Sequence, residues 1–237
     1  MKKEKIAVII PTYNERENII LLVEKILSLP LDISVFIVDD NSPDGTGEIA
    51  KKHFEKNPRV KVFIRYENKG RGYAGRFGYK EALGKKFDII GEMDGDFSHS
   101  PEFIPEMVAL LKDADVSSGS RFLREGRSLR KSFIRETITN FARVYLRLVL
   151  GIKLTDPTSG FRFFKFSALS EIYPRLKSKD AFIVSEVFYY VFKYGFKIKE
   201  LPIVFYERKY GKTKLRFHTL ILYVYKVLRL RIGFFNG

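Results

Sequence analysis

The chain has 237 residues, 45% of them hydrophobic, and no cysteine. That is enough apolar material for one large core, and it excludes disulfides, zinc thiolates and a cysteine nucleophile. Its net charge of +15 is concentrated: residues 1–120 set 18 basic against 20 acidic side chains, residues 121–151 carry 8 against 2, and residues 208–231 carry 8 against 0. Such asymmetry points to an anionic partner, either phosphate or lipid headgroup; no nucleic-acid-binding motif accompanies the charge, so nucleic acid is not expected. No apolar run reaches the length of a membrane span, and Ile6–Ile10 is too short for a signal peptide. A reducing cytoplasm fits the absence of cysteine.

In chain order, Ile6–Ile10, Val35–Val38, Val60–Ile64, Ile89–Met93 and Val116–Ser118 read as strands. Between them Glu15–Leu29, Gly45–Glu55, Tyr73–Leu83 and Pro101–Leu111 read as helices. Near-continuous apolar strands separated by helices predict an α/β fold, a mainly parallel sheet flanked by helices on both faces. Ligands of such sheets sit beyond the carboxyl ends of the strands. After residue 120, Phe133–Leu150 and Ala181–Tyr194 read as helices, Ile198–Phe205 as a strand, and Phe217 onward as an amphipathic C-terminal helix. The expected division is a catalytic domain over residues 1–216 and an interfacial helix or tail over 217–237.

Three strand ends carry loaded loops. Asp94-Gly95-Asp96 places two carboxylates one residue apart. Mg²⁺ or Mn²⁺ takes one or two protein carboxylates and fills its other positions with water and phosphate oxygens; the alternative is an ordinary Asp-Gly turn. In Asp39-Asp40-Asn41-Ser42-Pro43-Asp44-Gly45, Asp40 could accept from a nucleobase N–H while Tyr13 stacks on the base. The alternative there is an Asx-type turn with Asp44-Gly45 capping the next helix.

Gly70-Arg71-Gly72-Tyr73-Ala74-Gly75 matches G-x-G-x-x-G, with Glu92 downstream, as an NAD-binding oxidoreductase requires. Against this, Tyr66–Lys69 separates strand from first glycine, and the acidic loops stay unexplained. Arg121 and Arg135 begin a basic segment whose guanidinium forks suit a phosphate monoester. Arg208 and Lys214 flank a basic loop able to close over a diphosphate, or one merely exposed. Asp156 opens Asp156-Pro157-Thr158-Ser159-Gly160-Phe161-Arg162, where it could orient a sugar hydroxyl or an arginine, or cap a turn. The basic helix and the apolar tail suit an anionic membrane surface, with core packing as the alternative.

Together, Pro11–Glu17, Asp39–Thr46, Asp94–Glu102, Gly119–Arg121, Asp156–Arg162 and Arg208–Leu215 resemble family-2 glycosyltransferases of the GT-A fold. Within that family they look most like the polyprenol-phosphate glycosyltransferases, the dolichol-phosphate mannose synthases among them. The resemblance implies Pro11, Tyr13, Glu15, Val38 and Asp40 around base and ribose. It implies Asp94 and Asp96, with Gly95 where the family often has Ala, on metal and diphosphate. Ser98 stands where some relatives carry Gln, as a third metal ligand. Arg121 and Arg135 match positions facing the acceptor phosphate, Arg121 reaching the donor too; Asp156 joins the catalytic set, and Arg208 and Lys214 match the donor-phosphate loop. The implied reaction moves a hexose, with inversion, from a nucleotide sugar to dolichyl or polyprenyl phosphate. It uses Mg²⁺ or Mn²⁺ and takes place peripherally at the cytoplasmic membrane face, with a membrane subunit as a further expected partner. GDP-mannose is the nearest donor, UDP-glucose the next.

Overall fold

The computed structural model describes residues 3–129, 133–206, 217–233, 235 and 237, without the side chains of 133–135 and 217–219. Its centre is a seven-stranded sheet ordered β3-β2-β1-β4-β7-β5-β8. The strands are β1 (Ile6–Thr12), β2 (Ile33–Asp39), β3 (Val60–Ile64), β4 (Ile89–Glu92), β5 (Val116–Ser120), β7 (Arg162–Lys165) and β8 (Ile198–Pro202). All run parallel except β7, which lies antiparallel between β4 and β5. Two short strands, β6 (Arg127–Ser128) and β9 (Val204–Phe205), pair apart from this sheet.

Strand alternation sends successive side chains to opposite faces. Ile6, Val8 and Ile10 of β1 join one apolar cluster with α1 (Arg16–Leu27), α2 (Thr46–His53) and α4 (Ile104–Leu110). Ala7 and Ile9 join a second with α3 (Arg71–Gly84), α6 (Phe166–Ile172) and α7 (Ile183–Lys193). Burial on both faces is why these strands read as continuous apolar runs. A third cluster forms where α5 (Phe133–Leu150) and α8 (Phe217–Arg231) pack on α7, through Leu146, Leu150, Phe182, Phe188, Val227 and Leu230. Tyr145 donates to the Val224 carbonyl at 3.1 Å, Ser185 and Tyr223 share a 2.7 Å hydrogen bond, and Lys226 meets Asp180 at 2.6 Å. The tail is therefore docked on the protein along one face.

Three expectations change. Ile198–Phe205 is two strands in different sheets, because the chain leaves β8 at Pro202 to pair with β6. Pro101–Leu111 opens with a 3₁₀ turn, Pro101–Phe103, before α4. The segment read as a loop ending at Arg162 runs into β7.

What makes β7 possible is a charge. Arg162 lies directly across from Glu92 in the β4–β7 register, and both are fully buried. Arg162 donates to Glu92 Oε2 through Nε at 3.1 Å and Nη2 at 2.8 Å, and to the Val184 carbonyl of α7 at 2.9 Å. Tyr79 of α3 donates to Glu92 Oε2, and Arg71 of α3 donates to Glu92 Oε1. Burial alone would push the Glu92 carboxyl up, but Arg71 and Arg162 outweigh it and hold it below the usual range. Removing one partner from a buried, paired set leaves an uncompensated charge, which costs about 3–5 kcal/mol. Glu92→Gln is therefore expected to lose stability of about that size by urea unfolding; a midpoint equal to wild type would contradict the role given to this pair.

Candidate active site

Because β2, β1 and β4 are parallel neighbours, their carboxyl ends open on one edge of the sheet. β5 shares that sense, and antiparallel β7 begins there. The Thr12, Asp39, Asp94, Arg121 and Asp156 segments thus converge on one edge.

The first two loops are stitched together. Asp39, fully buried, accepts from Thr12 Oγ1 at 2.9 Å and from Ser42 N at 2.8 Å. Asn14 N donates to Ser42 Oγ at 3.0 Å and Glu15 N to Thr46 Oγ1 at 2.9 Å. Asp44 Oδ1 accepts from Thr46 N at 3.0 Å, the capping role read from sequence. Asp40 accepts from Arg65 at 2.8 Å and from the Gly70 N–H at 2.6 Å. Burial raises its pKa, with these partners opposing. Tyr13 stands exposed beside this loop, whereas Pro11 and Val38 lie buried in their strands and leave mainly backbone to a ligand. Glu15 Oε2 accepts from Asn18 at 3.0 Å.

The glycine-rich segment does other work than a dinucleotide fingerprint. The first N–H groups of α3, which would face a pyrophosphate, are taken by protein: Gly70 by Asp40, Gly72 and Tyr73 by the Lys179 carbonyl at 3.2 and 3.3 Å. A side chain at Gly72 would run into the Ser178 carbonyl, and one at Gly75 would lie 3.0 Å from Glu92 Oε1. The glycines let α3 lie flat on a buried ion cluster. Glu92, the residue that reading needs for a ribose, is sealed inside it.

Asp94 continues that cluster outward. Its Oδ1 accepts from Arg71 Nη2 at 3.2 Å, and His99 Nδ1 lies 3.9 Å from its Oδ2. A methyl at Gly160 would sit 3.3 Å from Asp94 Oδ1, and one at Gly95 3.2 Å from Thr12 Cγ2, so β1, β4 and β7 meet here. Asp96 is buried and accepts from Ser98 N at 3.0 Å. Between them Phe97 takes φ 59°, a left-handed conformation that costs an aromatic residue about 1–2 kcal/mol and clusters at functional sites. Ser98 Oγ is buried with no hydrogen-bond partner among the described residues. Among those residues no group of three or more acidic, His or Cys side chains gathers. Two carboxylates and a spare hydroxyl suit a hard cation that draws its remaining ligands from water and phosphate.

On the other side, Asp156 holds Arg121 in a buried fork, at 2.7 Å to Nε and 2.9 Å to Nη2; Nη2 also donates to Thr158 Oγ1 at 3.0 Å. Of the three roles read for Asp156, this is the arginine partner. Burial opposes ionisation of Asp156, yet Arg121 and Thr158 hold its carboxyl below the usual value. Arg121 also packs over Phe205, which contacts His99. Arg135 lies in α5 and its side chain is outside the described residues, as are Arg208 and Lys214. The segment carrying those two leaves from Tyr206, whose N–H donates to the Ser98 carbonyl at 3.0 Å. Arg71, Glu92 and Arg162 were missed as site residues; charged residues within apolar runs were the available signal.

The glycosyl transferase family 2 model matches residues 7–173. The undecaprenyl-phosphate mannosyltransferase of Micrococcus luteus is 34% identical over 212 residues, 89% of this chain and 87% of the relative. The polyprenol monophosphomannose synthase of Mycolicibacterium smegmatis is 34% identical over 215 residues, 90% of this chain and 81% of the relative. In structure the chain resembles Mycobacterium tuberculosis glucosyl-3-phosphoglycerate synthase, solved with Mn²⁺, UDP and glucosyl-3-phosphoglycerate (TM-score 0.69, 17% identity, 97% of this chain, 79% of that one). It also resembles a Pyrobaculum calidifontis mannosyltransferase solved with GDP-Man and Mn²⁺ (TM-score 0.60, 17%, 98% and 64%).

Both depressed carboxyls, Glu92 and Asp156, bind a proton less tightly folded than unfolded. The stability they contribute is complete above the unfolded values near about 4 and is lost as pH falls through the folded ones. Acid titration followed by circular dichroism should show stability falling below about pH 4, with a shallower fall in Asp156→Asn. Identical acid limbs in variant and wild type would contradict the ion pair.

Proposed function

The chain belongs to glycosyl transferase family 2, and from that premise we propose that it transfers mannose from GDP-mannose to a dolichyl or polyprenyl phosphate, with inversion at the anomeric carbon. The observation that carries this reading is the shared edge: Asp94 and Asp96 at the end of β4 face the Arg121–Asp156 pair across the start of β7. The polyprenol-phosphate substrates named for the two relatives support the acceptor, and the GDP-Man complex of the structural neighbour supports the donor. UDP-glucose is the second donor.

Asp94 and Asp96, with Ser98 as the third group, would hold Mg²⁺ or Mn²⁺. Such an ion supplies charge stabilisation for the departing diphosphate. The protein's own share is positioning. Asp40 and exposed Tyr13 present an acceptor and an aromatic face to the base, and Pro11, Glu15 and Val38 frame the ribose. Arg121, oriented by Asp156, sets positive charge beside the acceptor phosphate, with Arg135 next to it; Arg208 and Lys214 serve the donor diphosphate. An ionised phosphate monoester is already a nucleophile, so the site needs no strong general base, and rate comes from alignment and preorganised charge.

The acceptor's lipid chain calls for a surface. On α5, Phe141, Val144 and Leu148 are exposed; on α8, Ile221, Leu222, Tyr225 and Leu228 are, with Ile232 just beyond. Arg147, Arg229 and Arg231 lie among them. No helix among the described residues is long and apolar enough to cross a membrane. Apolar side chains with adjacent cations suit a position in the interface of an anionic bilayer, at its cytoplasmic face in this reading.

Two outcomes are expected. Asp96→Ala should stay folded by circular dichroism and lose divalent-metal-dependent transfer by about 10²-fold or more; full retained activity would remove the metal role. Deleting residues 217–237 would uncover Leu146, Phe182 and Phe188, so the surface is better tested at exposed positions. Leu148→Glu combined with Leu228→Glu should reduce cosedimentation with anionic vesicles, and an unchanged bound fraction would count against that face.

A further inference from the structure

Arg121 is poorly placed to grip a phosphate by itself. Its Nε and Nη2 are committed to Asp156, its Nη2 also to Thr158, and its plane is covered by Phe205 at 4.7 Å and Phe122 at 5.3 Å. On the other side of Phe122 lies a second guanidinium. Arg143 of α5 stacks on that ring with Cζ 3.8 Å from its centroid. Asn140 Oδ1 accepts from its Nη1 at 3.0 Å, and its Nε has no hydrogen-bond partner among the described residues. His99, Phe205, Arg121, Phe122 and Arg143 therefore form a continuous stack of rings and cations leading from Asp94 to α5. Alternating rings and guanidinium planes hold each other in place.

Next to Arg143 along α5 runs the exposed stripe Phe141, Val144 and Leu148, spaced as one helix face. A fork with spare donors, beside an apolar stripe open to solvent, matches a molecule with a phosphate at the end of a hydrocarbon chain. We infer that Arg143 binds the acceptor's phosphate and that Phe141, Val144 and Leu148 take its first isoprene units. Arg121 then acts as the positioning cation that holds Phe122 and Arg143 in line. The inference rests on the acceptor proposed above and adds a residue and a chain-binding face to it.

The test titrates a ten-carbon isoprenyl monophosphate, and separately inorganic phosphate, into wild type, Arg143→Met and Arg143→Lys, following ³¹P line width. Wild type should bind the isoprenyl phosphate more tightly than inorganic phosphate. Arg143→Met should lose about tenfold or more, and Arg143→Lys, which keeps charge without the fork, should fall between. In turnover with a polyprenyl phosphate, Arg143→Met should raise KM for the acceptor and leave KM for the nucleotide sugar and the thermal midpoint unchanged. Unchanged acceptor affinity in Arg143→Met, or an equal rise in both KM values, would overturn the assignment. So would equal binding of the two phosphates, which removes the apolar stripe. If wild type binds the isoprenyl phosphate through Arg143 but yields no glycolipid with any donor, the binding site stands and the proposed transfer fails.

Discussion

Everything at the open edge of the sheet depends on one buried carboxylate. Glu92 sits in the middle of a seven-stranded sheet with arginines on both sides, Arg162 across the strand and Arg71 from the overlying helix. With Asp94 on the far side of Arg71, the four charges sum to zero. A paired set of this kind is weak support for stability as such, since well-packed apolar residues often do as well. Its consequence here is register. A slip of one residue between β4 and β7 would turn Arg162 to the opposite face, away from Glu92 and into apolar surroundings. The pair thus fixes the antiparallel strand, and with it the loop that starts at Asp156.

From that lock two halves of a site follow. Outward through Arg71, the cluster reaches Asp94 and the two carboxylates suited to a cation. Back along β7, it delivers Asp156 to the end of β5, where it takes hold of Arg121. Donor chemistry and acceptor chemistry are thereby referred to the same strand pair. The charge distribution agrees with this division: the near-neutral half of the chain builds the nucleotide side, and the basic segments after residue 120 belong to α5, α8 and the loop before α8.

Much of this was legible from residues alone. The five parallel strands and their helices announce themselves because burial on both faces leaves long apolar runs. The loops at Asp39, Asp94, Arg121 and Asp156 stand out because polar residues at strand ends have no structural reason to be so dense. β7 was illegible: four residues with an arginine at their start do not look like a central strand until the glutamate opposite is known, and that pairing spans seventy positions of sequence. The same blindness to long-range pairing made Gly70–Gly75 look like a dinucleotide loop, when its glycines serve close packing against Glu92 and Ser178. It also hid that Arg121 is occupied by Asp156. Periodicity on α8 marked an apolar face without telling that one side is docked on α5 and α7 while the other is exposed.

The claim that joins these parts is that one edge of one sheet brings a nucleotide sugar and a lipid phosphate together for direct displacement. The measurement that meets it most directly is the structure of the product. The purified chain is incubated with GDP-mannose, a polyprenyl phosphate and Mn²⁺, and the lipid fraction is analysed by mass spectrometry and NMR. The account predicts a mannosyl phosphate lipid whose anomeric configuration is opposite to that of the donor. A product with retained configuration, or GDP-mannose consumed with no glycolipid formed, would contradict it.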